Sequence, residues 1–105
     1  MSTRAHLCAL DDLESGSSRR FDVAGHRIAV VRIGDDLYAV GDRCTHQDVS
    51  LAEGDVDDAA RTLECWKHGS LFDLNTGTAV TLPATRPVPV YRVVSEDGDV
   101  FVELP

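Results

Sequence analysis

Two short segments that each combine one cysteine with one histidine constrain the fold of this chain more than any other feature of its sequence. They are Cys44-Thr45-His46 and Cys65-Trp66-Lys67-His68, with eighteen residues between His46 and Cys65. Thiolates and imidazoles at such close spacing are typical metal ligands. A single zinc ion more often takes two cysteines from one knuckle and two histidines from a helix, so a mixed pair in each segment is unusual for zinc.

A centre with two iron ions accounts for the mixed pairs. If both thiolates bind one iron and both imidazoles bind the other, each segment spans the cluster, with its cysteine at the inner metal and its histidine at the outer one. The sequence therefore predicts a two-iron site whose ligands are Cys44, His46, Cys65 and His68. A zinc-stabilised binding module that uses the same four residues remains an alternative.

Outside these segments the sequence favours an all-β fold. Apolar and β-branched runs bounded by Gly, Asp or Pro predict strands, and these runs are residues 27–33, 37–41, 88–94 and 100–104. Turn residues at Gly34-Asp35-Asp36 and at Asp97-Gly98 predict two β-hairpins. Helical periodicity is almost absent, and residues 10–18 are too polar and too short for more than one turn or a brief helix.

Residues 42–87 form a middle section with weaker strand signals, and both Cys/His segments fall within it. A loop-rich insert in a small domain needs more than core packing to hold it in place. A bound metal centre can supply that, because its binding free energy orders the loops that carry its ligands.

Charge and composition exclude several classes of function. The net charge of −8 argues against nucleic-acid binding, which depends on clustered Lys and Arg. The longest apolar runs are far shorter than the roughly 20 residues that cross a bilayer, and the first residues lack the apolar stretch of a secretory signal. We therefore expect a cytoplasmic protein. The odd number of cysteines, three, argues against a disulfide framework, because three cysteines cannot all pair and the cytosol keeps thiols reduced. The acidic residues in 48–64 predict a solvated face that could dock a basic partner.

The sequence around the four candidate ligands, CTHQDVSLAEGDV and ECWKHGSLFDLNTG, resembles the Rieske iron-sulfur proteins, and in particular the ferredoxin components of bacterial ring-hydroxylating oxygenases. The similarity covers nearly the whole chain. With the following LPATRPVPVY, the second stretch most resembles small actinobacterial ferredoxins associated with iron-sulfur cluster assembly.

This resemblance implies a Rieske fold and a Rieske-type [2Fe-2S] cluster. The fold would be a base of antiparallel sheets packed like a sandwich, with a loop-rich cluster-binding subdomain inserted between strands. The whole chain, residues 1–105, would form one domain, with the cluster-binding subdomain at about 42–87. Residues 83–89, with three prolines, would form a stiff loop lying against the cluster.

The resemblance also implies the function of a monomeric one-electron carrier. It would take electrons from a flavin-dependent ferredoxin reductase and pass them to a non-haem iron oxygenase or a similar acceptor. An electron carrier that serves iron-sulfur cluster assembly and the small subunit of a nitrite reductase are alternatives within the same family. No catalytic residues are expected, because the chain has no nucleophile and base pair apart from the metal ligands and no phosphate-binding loop.

Neighbouring residues predict a reduction potential in the lower part of the family range, which runs from about −150 to +300 mV. High-potential relatives place a serine and a tyrosine hydroxyl near the cluster sulfurs, whereas this chain has Ser70 but Phe72 at the matching positions. Those relatives also brace their loops with a disulfide between positions that match Val49 and Lys67, where no bridge can form here. The other candidate side chains, Cys8, His6 and His26, are expected to be structural.

Overall fold

Antiparallel β-strands make up most of the computed structural model, which describes residues 3–45, 49–67 and 69–104. The predicted ligands His46 and His68 lie outside the described residues. The strands are β1 (Thr3–Ala9), β2 (Ser17–Val23), β3 (His26–Ile33), β4 (Asp36–Gly41), β5 (Val56–Asp57), β6 (Thr62–Glu64), β7 (Leu71–Asp73), β8 (Val90–Glu96) and β9 (Asp99–Leu104). Single 3-10 turns occur at Leu10–Asp12 and Leu51–Glu53. The prediction of an all-β fold is confirmed.

Two antiparallel sheets divide the strands. The larger has the order β1-β9-β8-β4-β3-β2, and the smaller has the order β5-β6-β7. The two halves of the larger sheet join where Ala39 and Val40 of β4 pair with Tyr91 and Val90 of β8. The sheet curls about this short junction, so that residues of both halves share one core. This is the antiparallel, sandwich-like base that the sequence predicts.

Both predicted hairpins are confirmed. In the β3–β4 hairpin Ile33 pairs with Asp36, which leaves Gly34-Asp35 as the turn. In the β8–β9 hairpin Glu96 pairs with Asp99. The intervening Asp97 and Gly98 both have positive φ, at 52° and 80°, as expected for a two-residue turn that matches the twist of its strands.

Strand β3 separates two hydrophobic cores, because successive side chains of a strand point to opposite faces. Ile28 and Val30 join one core, which we call the base core, and Ala29 and Val31 join the other, which we call the site core. The buried members of the base core are Cys8, Leu13, Ile28, Val30, Ala39, Val100, Val102 and Leu104. The buried members of the site core are Ala29, Val31, Ile33, Val40, Cys44, Leu51, Leu63, Cys65, Phe72, Leu74, Ala84 and Val88.

The predicted strand boundaries differ most at β8. The apolar run 88–94 predicts a strand beginning at Val88, whereas β8 begins at Val90. Pro87 and Pro89 have no amide hydrogen to donate to a ladder, so the regular pairing starts after them. No helix among the described residues is long and apolar enough to cross a membrane.

Candidate metal centre

The first ligand loop, residues 44–49, follows β4 and closes on itself. The backbone N–H of Cys44 donates to the carbonyl of Val49 at 3.0 Å. Immediately outside the loop, Arg43 and Ser50 form an antiparallel bridge that holds its two ends together. Cys44 is 1% exposed and belongs to the site core, so its thiol lies in the protein interior.

A buried carboxylate anchors this loop to the base. Asp42 is fully buried and accepts hydrogen bonds from Ser50 Oγ at 2.6 Å and from the backbone N–H of Ala52 at 2.9 Å. The guanidinium groups of Arg20 and Arg27 lie 3.6 and 3.9 Å from its Oδ2. Donors and cations of this kind satisfy a buried carboxylate that would otherwise be costly to desolvate. Asp42 therefore fixes both ends of the first ligand loop.

The second ligand loop, residues 65–70, follows β6 and has a similar closure. The backbone N–H of Cys65 donates to the carbonyl of Ser70 at 2.8 Å, and the N–H of Gly69 donates to the carbonyl of Cys65 at 3.0 Å. Gly69 has a φ of 76°, which glycine adopts without steric cost. Cys65 is fully buried and belongs to the site core.

The two loops thus present their cysteines in the same way. In each, the cysteine N–H bonds to the carbonyl five residues later, at Val49 in one loop and Ser70 in the other. Neither thiol is in a disulfide, and both are buried in one core. The histidines of the two segments, His46 and His68, lie outside the described residues.

A third segment, the bridging loop of residues 82–89, is hydrogen-bonded to both ligand loops. The N–H of Ala84 donates to Ser70 Oγ at 3.1 Å in the second loop. On the other side, Thr45 Oγ of the first loop donates to the carbonyl of Arg86 at 2.7 Å. The predicted proline-containing loop at 83–89 therefore lies across the two segments that carry the predicted ligands.

The end of the bridging loop packs closely against Gly77. The N–H of Val88 donates to the carbonyl of Gly77 at 2.8 Å. A Cβ at position 77 would lie 2.1 Å from the carbonyl oxygen of Val88, and the φ of Gly77 is 76°. Close approach and backbone conformation together require glycine here.

Comparison with known proteins identifies the family. The profile of the Rieske [2Fe-2S] domain matches residues 3–92, most of the chain. The chain belongs to the Rieske family. The ferredoxin subunit of 3-phenylpropionate/cinnamic acid dioxygenase from Escherichia coli K12 is 41% identical over 102 residues, covering 97% of this chain and 94% of the relative.

Two solved structures agree with this assignment. The ferredoxin of carbazole 1,9a-dioxygenase from Nocardioides aromaticivorans IC177 superposes with a TM-score of 0.92 at 35% identity, covering 95% of this chain and 96% of that one. A ferredoxin solved in complex with the oxygenase of carbazole 1,9a-dioxygenase gives a TM-score of 0.87 at 38% identity, covering 94% and 91%.

The cofactor of a Rieske domain is a [2Fe-2S] cluster, and the described side chains fit it. Cys44 and Cys65, which are in no disulfide and are buried in one core at the start of matching loops, would provide the sulfur donors that one iron needs. Within residues 3–45, 49–67 and 69–104 no group of three or more His, Cys, Asp or Glu side chains converges. Two of the four predicted ligands fall outside those ranges, so the imidazole half of the Rieske site remains a prediction.

Two residues are expected to affect the reduction potential of a Rieske cluster. These residues, Ser70 and Phe72, are both fully buried. Ser70 Oγ accepts the hydrogen bond from Ala84 N–H, which leaves its own proton for another acceptor. Phe72 packs in the site core and has no hydroxyl to donate. This arrangement agrees with the expectation of one side-chain hydroxyl at the cluster in place of two.

Cys8, His6 and His26 lie in the base, away from the ligand loops. Cys8 belongs to the base core, where burial raises the pKa of its thiol. His6 Nε2 lies 3.1 Å from Asp99 Oδ1, and His26 Nδ1 lies 3.3 Å from the Tyr91 hydroxyl. Each of the three residues therefore contacts its neighbours within the base, and none of them belongs to the proposed Rieske ligands.

Sequence reasoning missed the positioning roles of Asp42, Thr45 and Gly77, although Gly77 closes the ECWKHGSLFDLNTG stretch that carries the resemblance. A carboxylate two residues before a ligand cysteine, in a segment between a strand and a metal loop, is a signal that could have drawn attention to Asp42. Thr45 and Gly77 act through contacts with residues 41 and 11 positions away, which spacing along the chain does not reveal.

Proposed function

We propose that this Rieske protein is a one-electron carrier that receives electrons from a flavin-dependent ferredoxin reductase and passes them to a non-haem iron oxygenase. The observation that carries the proposal is the pair of matching closed loops, each with a buried cysteine that is in no disulfide, in a chain that aligns over almost its full length with a dioxygenase ferredoxin. The relatives are named as ferredoxin components, which makes this chain a component of an oxidoreductase system and not a catalyst.

We assign Cys44 and Cys65 to the inner iron and His46 and His68 to the outer one. The burial of both thiols in the site core supports the first half of this assignment. The position of each histidine, two or three residues after its cysteine in a closed loop, supports the second half. When bound, the cluster accepts and releases one electron at a time.

The remaining residues hold the ligand loops in a fixed arrangement. Asp42 anchors the first loop, Gly69 allows the second to close, and the bridging loop ties the two together through Ser70 and Thr45. A carrier benefits from such rigidity, because a site that moves little on gaining an electron has little to reorganise during transfer.

We also propose that residues 1–105 form one monomeric domain with its cluster-binding subdomain at about 42–87. The site core supports this, since Ala29, Val31 and Val40 of the base pack with Leu51 and Leu63 of the insert. We place the protein in the cytoplasm, where thiols stay reduced, because none of Cys8, Cys44 and Cys65 is in a disulfide.

The decisive experiment is anaerobic purification followed by iron and acid-labile sulfide analysis, visible spectroscopy and electron paramagnetic resonance before and after one-electron reduction. We expect two irons and two sulfides per chain, a reddish-brown colour and a paramagnetic reduced state. Cys44→Ser and Cys65→Ser should abolish the colour, whereas Cys8→Ser, which removes a thiol from the base core, should retain it. A folded, colourless protein that holds zinc would overturn the proposal in favour of a zinc-stabilised module.

Electron delivery is then tested with a flavin reductase and an oxygenase. We expect the reduced protein to support oxygenase turnover and the Cys44→Ser variant to give none. If the loaded protein is reduced but no oxygenase accepts its electrons, the iron-sulfur assembly role or the nitrite reductase role replaces the oxygenase role. Genes adjacent to the coding sequence distinguish those two, because cluster-assembly factors and a nitrite reductase large subunit seldom occur together.

A further inference from the structure

The turn that leads into β6 contains an arginine in a strained backbone conformation. Arg61 has a φ of 57°, in the left-handed region that residues with a Cβ adopt at an energetic cost. Its N–H donates to the carbonyl of Asp57 at 2.8 Å, and its own carbonyl accepts from the N–H of Leu74 at 2.9 Å. Glycine would adopt this φ without that cost. The presence of arginine therefore indicates a role for its side chain.

The side chain of Arg61 extends from the smaller sheet to β4 of the larger one. Its Nη1 lies 3.3 Å from Oδ2 of Asp36, the first residue of β4. Its guanidinium carbon lies 5.9 Å from the centre of the Tyr38 ring, which also belongs to β4. Nη1 is buried and makes no hydrogen bond within residues 3–45, 49–67 and 69–104. The carboxylate of Asp36 therefore supplies its countercharge.

The two strands joined by this contact lead to the two cysteines of the proposed site. Asp36 begins β4, which ends at Gly41, and the chain then continues to Cys44. Arg61 immediately precedes β6, and Cys65 directly follows it. The four residues from Arg61 to Cys65 span about 13 Å of extended chain. The contact thus joins the starts of two strands whose ends lead to the proposed ligands of the inner iron.

Apolar packing between the two sheets does not fix their alignment by itself. Val40 of β4 shares the site core with Leu63 of β6 and Phe72 of β7. Apolar burial is non-directional, so strands held only by such packing can shift against each other by small amounts. An ion pair and a cation–π contact are favourable only at particular positions of the two groups, so they oppose such a shift.

We propose that Arg61 is a positioning residue that aligns β6 with β4 and thereby sets the position of Cys65 relative to Cys44. The inference rests on the proposed function, because it requires both cysteines to bind one iron. Arg61 acts through the strand and does not touch the cluster. Loss of the contact with Asp36 lets the second ligand loop shift against the first, so the site holds its iron less firmly.

Release of iron to a chelator tests the proposal in the cluster-loaded protein. Loss of visible absorbance is followed in excess chelator for the wild type and for Arg61→Gly, which removes the contact and relieves the backbone strain. Arg61→Lys retains a cation at the same place in the turn. Asp97→Gly is the matched control, because Asp97 has a φ of 52° and lies in the turn between β8 and β9 of the larger sheet.

We expect iron release to be about fivefold faster in Arg61→Gly than in the wild type, and to change by less than about twofold in Arg61→Lys and Asp97→Gly. The electron paramagnetic resonance lines of the reduced cluster should be broader in Arg61→Gly, because the ligand geometry then varies more from molecule to molecule. An unchanged release rate in Arg61→Gly, or an equal acceleration in Asp97→Gly, would overturn the positioning role.

A second variant, Asp36→Asn, removes the countercharge and leaves the turn at Arg61 unchanged. We expect it to accelerate iron release about threefold in the wild type and to have no further effect in Arg61→Gly, because both substitutions remove the same contact. Independent, multiplying effects of the two substitutions would contradict the contact. Failure of the proposed function is recognised separately, since a wild-type preparation without iron and sulfide fails before any release is measured.

Discussion

The hydroxyl of Ser50 donates a hydrogen bond of 2.6 Å to the buried carboxylate of Asp42, and this contact joins the two ends of the first ligand loop. Asp42 lies two residues before Cys44, and the N–H of Ala52 donates to its other oxygen at 2.9 Å. High-potential relatives brace the corresponding loops with a disulfide. Such a disulfide would link the first loop to the second, whereas the buried carboxylate of Asp42 holds the two ends of the first loop together.

Replacement of this carboxylate should be strongly destabilising. Asp42→Ala leaves the donors of Ser50 and Ala52 without this acceptor and removes the carboxylate that lies near the guanidinium groups of Arg20 and Arg27. We expect a loss of about 3 kcal/mol in the free energy of unfolding, against about 1 kcal/mol for Ser50→Ala. Urea unfolding followed by far-ultraviolet circular dichroism measures both, and Asp42→Asn should fall between them. Equal losses for Asp42→Ala and Ser50→Ala would contradict the bracing role of the carboxylate.

The reduction potential should lie in the lower part of the Rieske range. Two neutral imidazoles in place of two thiolates leave the site with less negative charge, so the family accepts an electron more readily than plant-type ferredoxins. Hydrogen bonds to the cluster raise the potential further, and Phe72 contributes none. Protein-film voltammetry should give a midpoint below about +150 mV, within the range of about −150 to +300 mV.

Ser70→Ala should lower that potential. The Ser70 oxygen accepts from Ala84 N–H, so its proton can be donated to the cluster side of the loop and stabilise the added electron. A net hydrogen bond of about 1 kcal/mol corresponds to about 40 mV in a one-electron couple. Ser50→Ala is the matched control, because its hydroxyl is directed at Asp42 and should leave the midpoint unchanged. An unchanged midpoint in Ser70→Ala would mean that this hydroxyl bonds elsewhere.

Gly77→Ala should lower the free energy of unfolding far more than Gly98→Ala, because residue 77 contacts the bridging loop closely and residue 98 lies in an open hairpin turn. The φ values are alike, at 76° and 80°, so both variants carry the same backbone strain of about 1 kcal/mol. The alanine Cβ meets the Val88 carbonyl at 2.1 Å in the first case and nothing within 4 Å in the second. We expect Gly77→Ala to cost about 3 kcal/mol or more in the free energy of unfolding, measured in urea. Similar losses of unfolding free energy in the two variants would show that the bridging loop can shift to admit the added Cβ at no cost in free energy.

The predicted strands β3, β4 and β9 are more buried than β1 and β2, which the sequence did not predict. β3, β4 and β9 are found because β-branched and apolar residues follow one another where the strand is buried. β1 and β2 are the two edge strands of the larger sheet, and they carry several Arg and Ser residues because one side of each faces solvent. Such strands form through pairing with a neighbour, which local composition does not show.

The candidate ligands could be predicted from the sequence, whereas the contacts that position them could not. Cys44, His46, Cys65 and His68 are visible from spacing alone, because a metal demands particular donors from short segments. The brace between Thr45 and Arg86 links residues 41 positions apart, and that between Ser70 and Ala84 links residues 14 apart. Contacts at this separation depend on the folded arrangement of the loops, so the spacing of residues along the sequence does not reveal them.

Removal of iron should unfold the ligand loops and leave the base folded. The base core contains neither proposed cysteine ligand, and its buried members come mainly from the β1, β3, β4 and β9 strands. The site core contains both cysteines together with residues of the insert. Metal binding supplies much of the free energy that orders such loops, whereas the base core is stabilised by apolar burial.

Hydrogen exchange, after iron is chelated under reducing conditions, measures whether the ligand loops unfold while the base stays folded. We expect amide protection to persist in β3, β4 and β9 and to be lost at Cys44, Cys65 and Ala84, whose N–H groups bond across the loops. Cys8 provides a second readout, because its buried thiol with raised pKa should resist alkylation while the base core stays folded. Rapid labelling of Cys8 together with Cys44 and Cys65 would show instead that both cores unfold as one cooperative unit.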